Sequence, residues 1–323
     1  MRFYLFLTIF ILSVINVNAS WQTFQNDLKN TGAANGTGYF PLKTTNFSSD
    51  AIGMNFQPLV GDLDANGVNE IVIFSNNSLI IFNPRLNILS QTKVGLTLGQ
   101  PALFDFDNDN FIEIVFNAGQ NSANHFFAYQ YNNSNLRQEF NITLLNKANH
   151  SGIKCLSLDG ANYCVFKDKM NYIHIINLSS KTDSSYNTSV YEELRDTVPA
   201  IGDIDNDGRQ EAVFWFNQDN GSGYGFLAFD LGNRSVKWIV DNIFNPGIRG
   251  ADLQFQDFRL KGQPVLVDLN NDNRLEIAAS VFYDDGIIGG FRDDWFTELL
   301  VYGSNGSKLF SRCETGPVGC NDH

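Results

Sequence analysis

One acidic segment of nine residues occurs four times in this chain, and it constrains the fold more than any other feature. Each copy carries aspartate or asparagine at its first, third and fifth positions, glycine or asparagine at its sixth, and glutamate at its ninth. The copies begin at Asp62, Asp105, Asp203 and Asp268, and each has a proline four residues before its first acid. Repetition of one unit at this scale predicts a repeat architecture.

The spacing of the copies predicts one further unit that lacks the acidic segment. The interval between the second and third copies is about twice the interval between the first and second. In the middle of the longer interval, residues 152–158 and 163–166 form two apolar runs that flank an Asp159-Gly160 turn. A third run follows at 172–176. We therefore expect five units.

Each unit with an acidic segment contains three short segments rich in Val, Ile, Phe and Tyr and a fourth, more polar segment, all bounded by Asn, Gly and Asp. Short segments of this composition are typical of β-strands. In the first unit they are residues 58–61, 71–74, 79–82 and 88–94. Four strands per unit at this spacing are typical of the blades of a β-propeller. The predicted fold class is therefore all-β, a propeller of about five four-stranded blades that is either complete or part of a larger propeller.

The acidic segments have the oxygen spacing that calcium requires. Calcium takes six to eight oxygen ligands, and a row of alternating acids delivers several of them from one tight turn. We expect the side chains at positions one, three, five and nine and the carbonyl at position seven to bind one ion per segment, up to four ions in all. An EF-hand would need an acid at position twelve, where Ile73, Phe116, Phe214 and Ala279 stand instead. The predicted ligands are Asp62, Asp64, Asn66, Val68 and Glu70; Asp105, Asp107, Asp109, Phe111 and Glu113; Asp203, Asp205, Asp207, Arg209 and Glu211; and Asp268, Asn270, Asp272, Arg274 and Glu276.

The substitutions within the segments have chemical consequences. Asn66 and Asn270 supply a neutral oxygen where other copies have a carboxylate, which predicts weaker sites. Asn110 and Asn273 replace the glycine at position six, and asparagine enters the left-handed conformation more readily than other non-glycine residues. Four divalent cations would bring the net charge from −13 to about −5. We expect the ions to be mainly structural.

The segments share the pattern Pro-x-x-x-Asp-x-(Asp/Asn)-x-(Asp/Asn)-(Gly/Asn)-x-x-Glu, and each precedes an apolar strand. This pattern resembles the FG-GAP/VCBS repeat family, the integrin α-subunit type of β-propeller, over residues 58–311. The resemblance implies calcium in loops between the first two strands of a blade, on one face of the disc. It also implies extracellular recognition, with the partner on the opposite face. The chain departs from the family where the third unit lacks its loop, and where glutamate at position nine replaces the aspartate of integrins.

The two ends of the chain are predicted to lie outside the blades. Residues 1–19 have an early Arg2, an apolar run too short to span a bilayer comfortably, and a small-residue cleavage site, which together are typical of a secretory signal peptide. We expect a secreted or cell-surface protein with no membrane span once the signal is removed. Residues 20–57 form an N-terminal segment and a candidate closing strand, and residues 312–323 form a cysteine-containing tail.

The cysteines and the N-glycosylation sequons agree with the prediction that the protein is exported from the cell. Cys155 and Cys164 flank the turn of the third unit at nearly equal distances, and Cys313 and Cys320 are the other close pair. Four cysteines allow three disulfide connectivities, which the spacing does not resolve. Asn-x-Ser/Thr sequons recur along the chain and are candidate N-glycan sites.

The net charge and the absence of known catalytic motifs limit the classes of function that this chain can have. The net charge of −13 and the lack of a basic patch argue against nucleic acid as a partner. The sequence has no Gly-x-Ser-x-Gly elbow, phosphate loop or histidine cluster for a catalytic metal. We therefore expect a recognition or adhesion module rather than an enzyme, with an extracellular protein or a glycan as partner. The alternative is an enzyme on the same scaffold, such as a polysaccharide lyase or a quinone-dependent dehydrogenase.

Overall fold

The computed structural model describes residues 56–120, 123–132, 134–144, 151–168, 170, 172–188, 198–217, 224–244, 257–259, 263–284 and 295–315. The predicted signal peptide and residues 20–55 lie outside this set, and the predictions made for them stay predictions. All regular secondary structure in the described residues is β-strand. This part of the chain contains no helix long and apolar enough to cross a membrane.

The described strands form five antiparallel sheets, one for each predicted unit. Blade 1 contains β1 (Leu59–Gly61), β2 (Glu70–Ser75), β3 (Ser78–Phe82) and β4 (Ile88–Lys93). Blade 2 contains β5 (Leu96–Thr97), β6 (Ala102–Phe104), β7 (Glu113–Gln120), β8 (Ala123–Asn132) and β9 (Asn135–Leu144). Blade 3 contains β10 (Lys154–Leu158), β11 (Ala161–Lys167), β12 (Tyr172–Asn177) and β13 (Thr182–Asn187). Blade 4 contains β14 (Ala200–Gly202), β15 (Glu211–Asn217), β16 (Tyr224–Asp230) and β17 (Ser235–Phe244); blade 5 contains β18 (Asp257–Arg259), β19 (Val265–Val267), β20 (Glu276–Asp284), β21 (Trp295–Tyr302) and β22 (Lys308–Thr315).

Within each blade the strands follow one another in sequence order, as in a propeller blade. Burial follows the position of the strand in the sheet. In blade 1, β3 is buried along its whole length, whereas β4 at the outer edge is exposed or half-buried at every residue. This explains why the inner strands are continuous apolar runs and the outer strands are more polar. The predicted all-β propeller fold is confirmed.

The core lies between the blades. Buried apolar side chains form four clusters, and each cluster joins two consecutive blades: 1 with 2, 2 with 3, 3 with 4, and 4 with 5. Each cluster includes several aromatic rings, and Phe126 of blade 2 stacks on Phe166 of blade 3 with ring centroids 6.2 Å apart. In blade 4, Trp215 and Phe226 stack with centroids 4.0 Å apart. Burial of such surface is the main force that joins the blades.

A second set of contacts joins the blades where their first strands begin. The Gln100 side chain makes two hydrogen bonds to the backbone of Gln57 one blade earlier, at 3.0 and 3.1 Å. The Gln263 side chain accepts a bond from the Val198 backbone N–H in the same way, at 2.6 Å. In blade 3 the equivalent region has Gly152, where an added Cβ would lie 2.3 Å from Val198 Cγ2. The close approach of blades 3 and 4 therefore requires glycine.

Some strands differ from the sequence prediction. Two short strands, β5 and β18, were not expected. In blade 2, β5 pairs with the C-terminal end of β7, and β6 pairs with its N-terminal end. In blade 5, β18 and β19 pair with β20 in the same way. Both β5 and β18 are too short to show a hydrophobic period. The fourth strand of blade 3, β13, is polar and was also not predicted. Finally, β22 continues to Thr315, because its partner strand β21 is long enough to pair with it up to that residue. Residues 312–315 therefore belong to blade 5 and not to the predicted tail.

A disulfide joins Cys155 and Cys164, which face each other across β10 and β11. This confirms one of the connectivities that the spacing left open. The side chains of the other predicted pair, Cys313 and Cys320, lie outside the described part of the chain.

Candidate metal centre

The four acidic segments occupy the same place in their blades, between the first and second strands. We number them by blade as loop 1 (residues 62–70), loop 2 (105–113), loop 4 (203–211) and loop 5 (268–276). Because the first strands of neighbouring blades lie side by side, the loops emerge on one face of the disc. The structure therefore confirms the predicted position of these segments between strands.

The four loops have the same backbone shape. In every loop, the residues at positions four and six have positive φ, the left-handed conformation that L-residues other than Asn and Asp rarely enter. Position six was expected from its Gly and Asn residues, but position four was not. The position-four residues are Ala65 (φ 56°), Asn108 (60°), Asn206 (60°) and Asn271 (62°). The position-six residues are Gly67 (83°), Asn110 (70°), Gly208 (87°) and Asn273 (66°).

The first acid of each loop holds this turn together through both of its carboxylate oxygens. In loop 1, Asp62 Oδ1 accepts the backbone N–H of Asn66 at 3.0 Å, and Oδ2 accepts that of Gly67 at 2.8 Å. Loops 2, 4 and 5 repeat the arrangement, with the N–H of position four or five on one oxygen and that of position six on the other. These bonds orient the carboxylate toward the centre of the turn.

The glutamate at position nine closes each loop from the strand side. Its Oε2 accepts the backbone N–H of the residue at position two, at 2.7 to 3.1 Å in the four loops. The glutamate side chains are buried, with exposed fractions of 0 to 3%. A carboxylate so deep in the protein needs a compensating charge or a proton. Position nine therefore lies at the buried end of each loop, and its role as a metal ligand stays a prediction.

Loop 1 fits a calcium ion. One carboxylate oxygen from each of Asp62, Asp64 and Glu70 lies within 4.8 Å of the others. Among the described residues, Asp64 Oδ1 has no hydrogen-bond partner although it is buried. A buried carboxylate oxygen without a donor, beside two other carboxylates, is strongly destabilised unless a cation balances it. Calcium, which binds oxygen and takes carboxylates readily, satisfies that set.

Loops 2 and 4 bring the same three positions together. Oxygens of Asp105, Asp107 and Glu113 meet the same 4.8 Å limit in loop 2, and the corresponding positions do so in loop 4. In loop 2, the Gln130 amide of β8 donates to Asp109 Oδ2 at 2.9 Å and to Glu113 Oε1 at 3.2 Å. Gln130 was not predicted to belong to the site, and the register that places it opposite Glu113 is what brings it there.

Loop 5 differs because asparagine stands at position three. The Asn270 amide nitrogen donates to Asp272 Oδ2 at 3.1 Å and to Glu276 Oε1 at 3.3 Å. An ion at this loop would take the amide oxygen instead, which requires the Asn270 amide to turn over. The weaker calcium binding expected of this loop stays a prediction.

The fifth and seventh positions have a shared local role. The backbone N–H of position seven donates to the position-five side chain at 2.8 or 2.9 Å in every loop. This hydrogen bond fixes the turn that aims the position-seven carbonyl. That the carbonyls of Val68, Phe111, Arg209 and Arg274 bind the ion stays a prediction.

The electrostatics of the loops favour a bound cation. Burial, with smaller contributions from the charges of Asp64 and Asp62, raises the pKa of Glu70 to about 7, against the effect of the backbone hydrogen bond from Leu63. Burial likewise raises the pKa of Glu113 to about 8. Without a metal, these two carboxyl groups hold protons near neutral pH. A divalent cation would displace the protons and restore the charged form.

Loop 4 contains cations of its own. The Lys237 ammonium, from β17, lies 2.7 Å from Asp205 Oδ2 and 2.8 Å from Glu211 Oε1. Burial lowers the pKa of Lys237, but the hydrogen bonds to these two carboxylates outweigh it and raise the pKa. Arg209 pairs with Asp207 at 2.6 Å and with the buried Asp230 at 3.3 Å. Lys237 and Asp230 were missed because they lie in other strands of the blade, outside the acidic segment.

Neighbouring loops are bonded to each other. The Ile112 N–H of loop 2 donates to the Leu63 carbonyl of loop 1 at 3.3 Å. The Leu275 N–H of loop 5 donates to the Ile204 carbonyl of loop 4 at 2.9 Å. In both pairs the acceptor is the position-two residue, whose own N–H is held by the loop glutamate. Leu63 and Ile204 therefore each contact both the glutamate of their own loop and the backbone of the neighbouring loop.

Comparisons with known proteins support the fold alone. No protein-family model matches the chain, and no curated protein matches it. Among solved structures, the exotype rhamnogalacturonan lyase YesX aligns with a TM-score of 0.50 and 14% identity, over 79% of this chain and 46% of that chain. BBS1N in complex with ARL6DN gives 0.42 and 13%, over 80% of each chain. The WD40 domain of SCAP from fission yeast gives 0.39 and 10%, over 76% of this chain and 61% of that chain. An enzyme stands among these structures beside proteins of other kinds, so the likeness does not assign an activity.

Proposed function

We propose that this protein is an exported, calcium-binding β-propeller that acts as a recognition or adhesion module outside the cell or at its surface. The observation that carries the calcium part is the buried, unpartnered Asp64 Oδ1, which lies with carboxylate oxygens of Asp62 and Glu70. The same backbone turn in four loops supports a shared ligand. Extracellular calcium modules bind at about 0.1–1 mM, so such sites would fill outside cells.

The role of the metal in this proposal is structural. Each ion would neutralise several carboxylates in a turn between the two innermost strands of a blade. The loops also touch their neighbours through Leu63 and Ile204, so filled loops would stiffen one face of the disc. Recognition of an extracellular protein or a glycan is then assigned to the remaining surfaces. It is supported by the predicted signal peptide and by the resemblance to the FG-GAP/VCBS repeats.

The test has two stages. Protein treated with a chelator is titrated with calcium by calorimetry and by thermal melting, and binding near millimolar calcium with a rise in Tm is expected. Equal melting curves with and without 2 mM calcium would overturn the calcium part. As a control, magnesium should raise the Tm less, because it demands a tighter octahedral shell.

The second stage addresses recognition. The calcium-loaded protein is applied to arrays of glycans and extracellular proteins, with and without chelator. Binding that calcium supports is expected. Depolymerisation of a polysaccharide such as rhamnogalacturonan, read as new unsaturated sugar ends, would instead favour the lyase alternative. Substrate turnover in the absence of array binding would reject the recognition module.

A further inference from the structure

The outer strand of each loop-bearing blade carries a β-bulge at one equivalent place. The pairing between the third and fourth strands shifts by one residue opposite the residue that follows the loop glutamate. The extra residue is Leu89 in blade 1, Glu139 in blade 2, Lys237 in blade 4 and Leu309 in blade 5. In blade 3, which has no acidic loop, the corresponding pairing runs without a shift. A β-bulge changes the direction in which a side chain points. The four bulge residues therefore occupy equivalent positions, each beside the acidic loop of its blade.

Only blade 4 has a cation at this position, and that cation enters the loop. Lys237 Nζ lies 2.7 Å from Asp205 Oδ2, 2.8 Å from Glu211 Oε1 and 3.6 Å from Asp207 Oδ2. These are the side chains at positions three, nine and five, the set that a calcium ion in this loop would need. The ammonium is within hydrogen-bond distance of Asp205 and Glu211, and Asp207 Oδ2 lies just beyond that distance.

An ion and the ammonium cannot share this place. Calcium would need oxygens at about 2.3–2.6 Å, and Lys237 already holds one oxygen of Asp205 and one of Glu211. Arg209 pairs with Asp207 Oδ2 as well, at 2.6 Å. Loop 4 therefore has a cation from its own blade at positions three and nine, although its sequence matches the ligand pattern best.

We propose that Lys237 is a built-in cation that replaces calcium in loop 4. This inference rests on the proposed calcium binding of the other loops and refines it: the protein takes three ions, in loops 1, 2 and 5. Blade 4 is held closed at any calcium concentration, whereas the loops of blades 1, 2 and 5 respond to calcium. The bulge residue thus determines whether a loop binds calcium. A leucine does not enter the loop, so a metal ion can bind there, whereas a lysine places its ammonium at the metal position.

The test compares K237L, which installs the leucine of blades 1 and 5, with the wild-type protein. Calcium stoichiometry is measured by calorimetry and native mass spectrometry on the full mature chain. Three ions are expected for the wild type and four for K237L. The control K93L removes an exposed lysine from the other end of an outer strand, in β4, and should leave three. Four ions in the wild type, or three in K237L, would overturn the proposal.

The reciprocal variant L309K guards against a folding defect in K237L. Leu309 is 55% exposed at the equivalent bulge of blade 5, so lysine is accommodated there without loss of packing. L309K should lose one ion relative to the wild type, and an unchanged count would contradict the role assigned to the bulge.

Melting curves in chelator separate this inference from the proposed function. Without calcium, K237L should melt several degrees below the wild type, because the acids of loop 4 lose the ammonium that pairs with them. K93L should melt at the same temperature as the wild type. If no variant binds calcium, the proposed function fails, and this Tm difference still decides the role of Lys237. Equal Tm values in chelator for K237L and the wild type would reject it.

Discussion

Replacing Glu70 by glutamine should have opposite effects on stability with and without calcium. Glu70 is 2% exposed, and burial raises its pKa from 4.5 to about 7. An acid whose pKa is raised by folding holds more protons in the folded state, so stability falls as pH rises between these two values. Above pH 7 the shift amounts to about 3 kcal/mol of lost stability in the metal-free protein. E70Q removes the charge and keeps an oxygen that accepts the Leu63 N–H.

In chelator at pH 8, E70Q should therefore melt above the wild type. At about 2 °C per kcal/mol for a chain of this size, the expected rise in Tm is about 6 °C. At pH 5 the wild-type carboxyl group is already protonated, so the two proteins should melt together. In millimolar calcium the order reverses, since E70Q has lost a charged ligand at the deepest position of loop 1. Thermal melting at both pH values, with chelator and with calcium, measures all four conditions.

The matched control is D159N, which removes one acid from the exposed turn of blade 3, where no acidic loop exists. Asparagine tolerates the φ of 50° at that position, so D159N should change neither Tm nor calcium binding. If E70Q lowers the Tm equally in chelator and in calcium, Glu70 is only a hydrogen-bond acceptor for the turn. That result would refute both the raised pKa and the ligand role.

Three further predictions concern the joints between blades and the third blade. G152A places a Cβ 2.3 Å from Val198 Cγ2, so it should destabilise the protein by about 1–3 kcal/mol in denaturant unfolding, and a value near zero would contradict the close approach. Substituting Cys155 and Cys164 together by alanine should remove about 2–3 kcal/mol of stability, and added reductant should then have no further effect on this double variant. H174Q should destabilise by about 3 kcal/mol at pH 6, because the flanking carboxylates raise the pKa of the buried His174 to about 9 against the effect of burial. The stability that His174 contributes is present below its unfolded pKa of 6.5 and is lost as pH rises through about 9, so the difference should shrink at pH 10.

The sequence was sufficient to predict the blade architecture, because the patterns that mark each blade lie close together in the chain. Each loop lies between two strands that are adjacent in sequence, so one repeat of acids and apolar runs predicts the turn, its blade and its position in the sheet. The unit without a loop was found by interval alone, and β10 to β12 confirm it. The short β5 and β18 were missed because a strand of two or three residues has no periodicity to detect.

The composition of the site could be predicted only in part, because some of its members come from distant strands. Lys237 follows Glu211 by 26 residues and reaches it through a bulge that no sequence pattern marks. Asp230 and Gln130 enter their loops through strand register, which is set by the whole hairpin. The loop that matches the calcium pattern best is therefore the one whose neighbours oppose calcium. Ligand motifs predict the donors that a turn can offer, but the side chains that compete for those donors are a property of the fold.

Blade 3 shows what the acidic loop contributes, because the structure replaces each of its parts by something else. The two-residue turn at Asp159 and Gly160 has positive φ at both residues, which matches the twist of a hairpin and needs no ion. The disulfide joins the two strands that a loop and its metal would otherwise hold, and the outer strand needs no bulge. The Asn162 side chain donates to the Phe106 carbonyl at 2.5 Å, in place of the backbone N–H that loops 2 and 5 offer their neighbours. A covalent bond, a tight turn and one amide thus hold blade 3 where the acidic loops stand in the other blades, and such an exchange is what the proposed structural role of the metal leads us to expect.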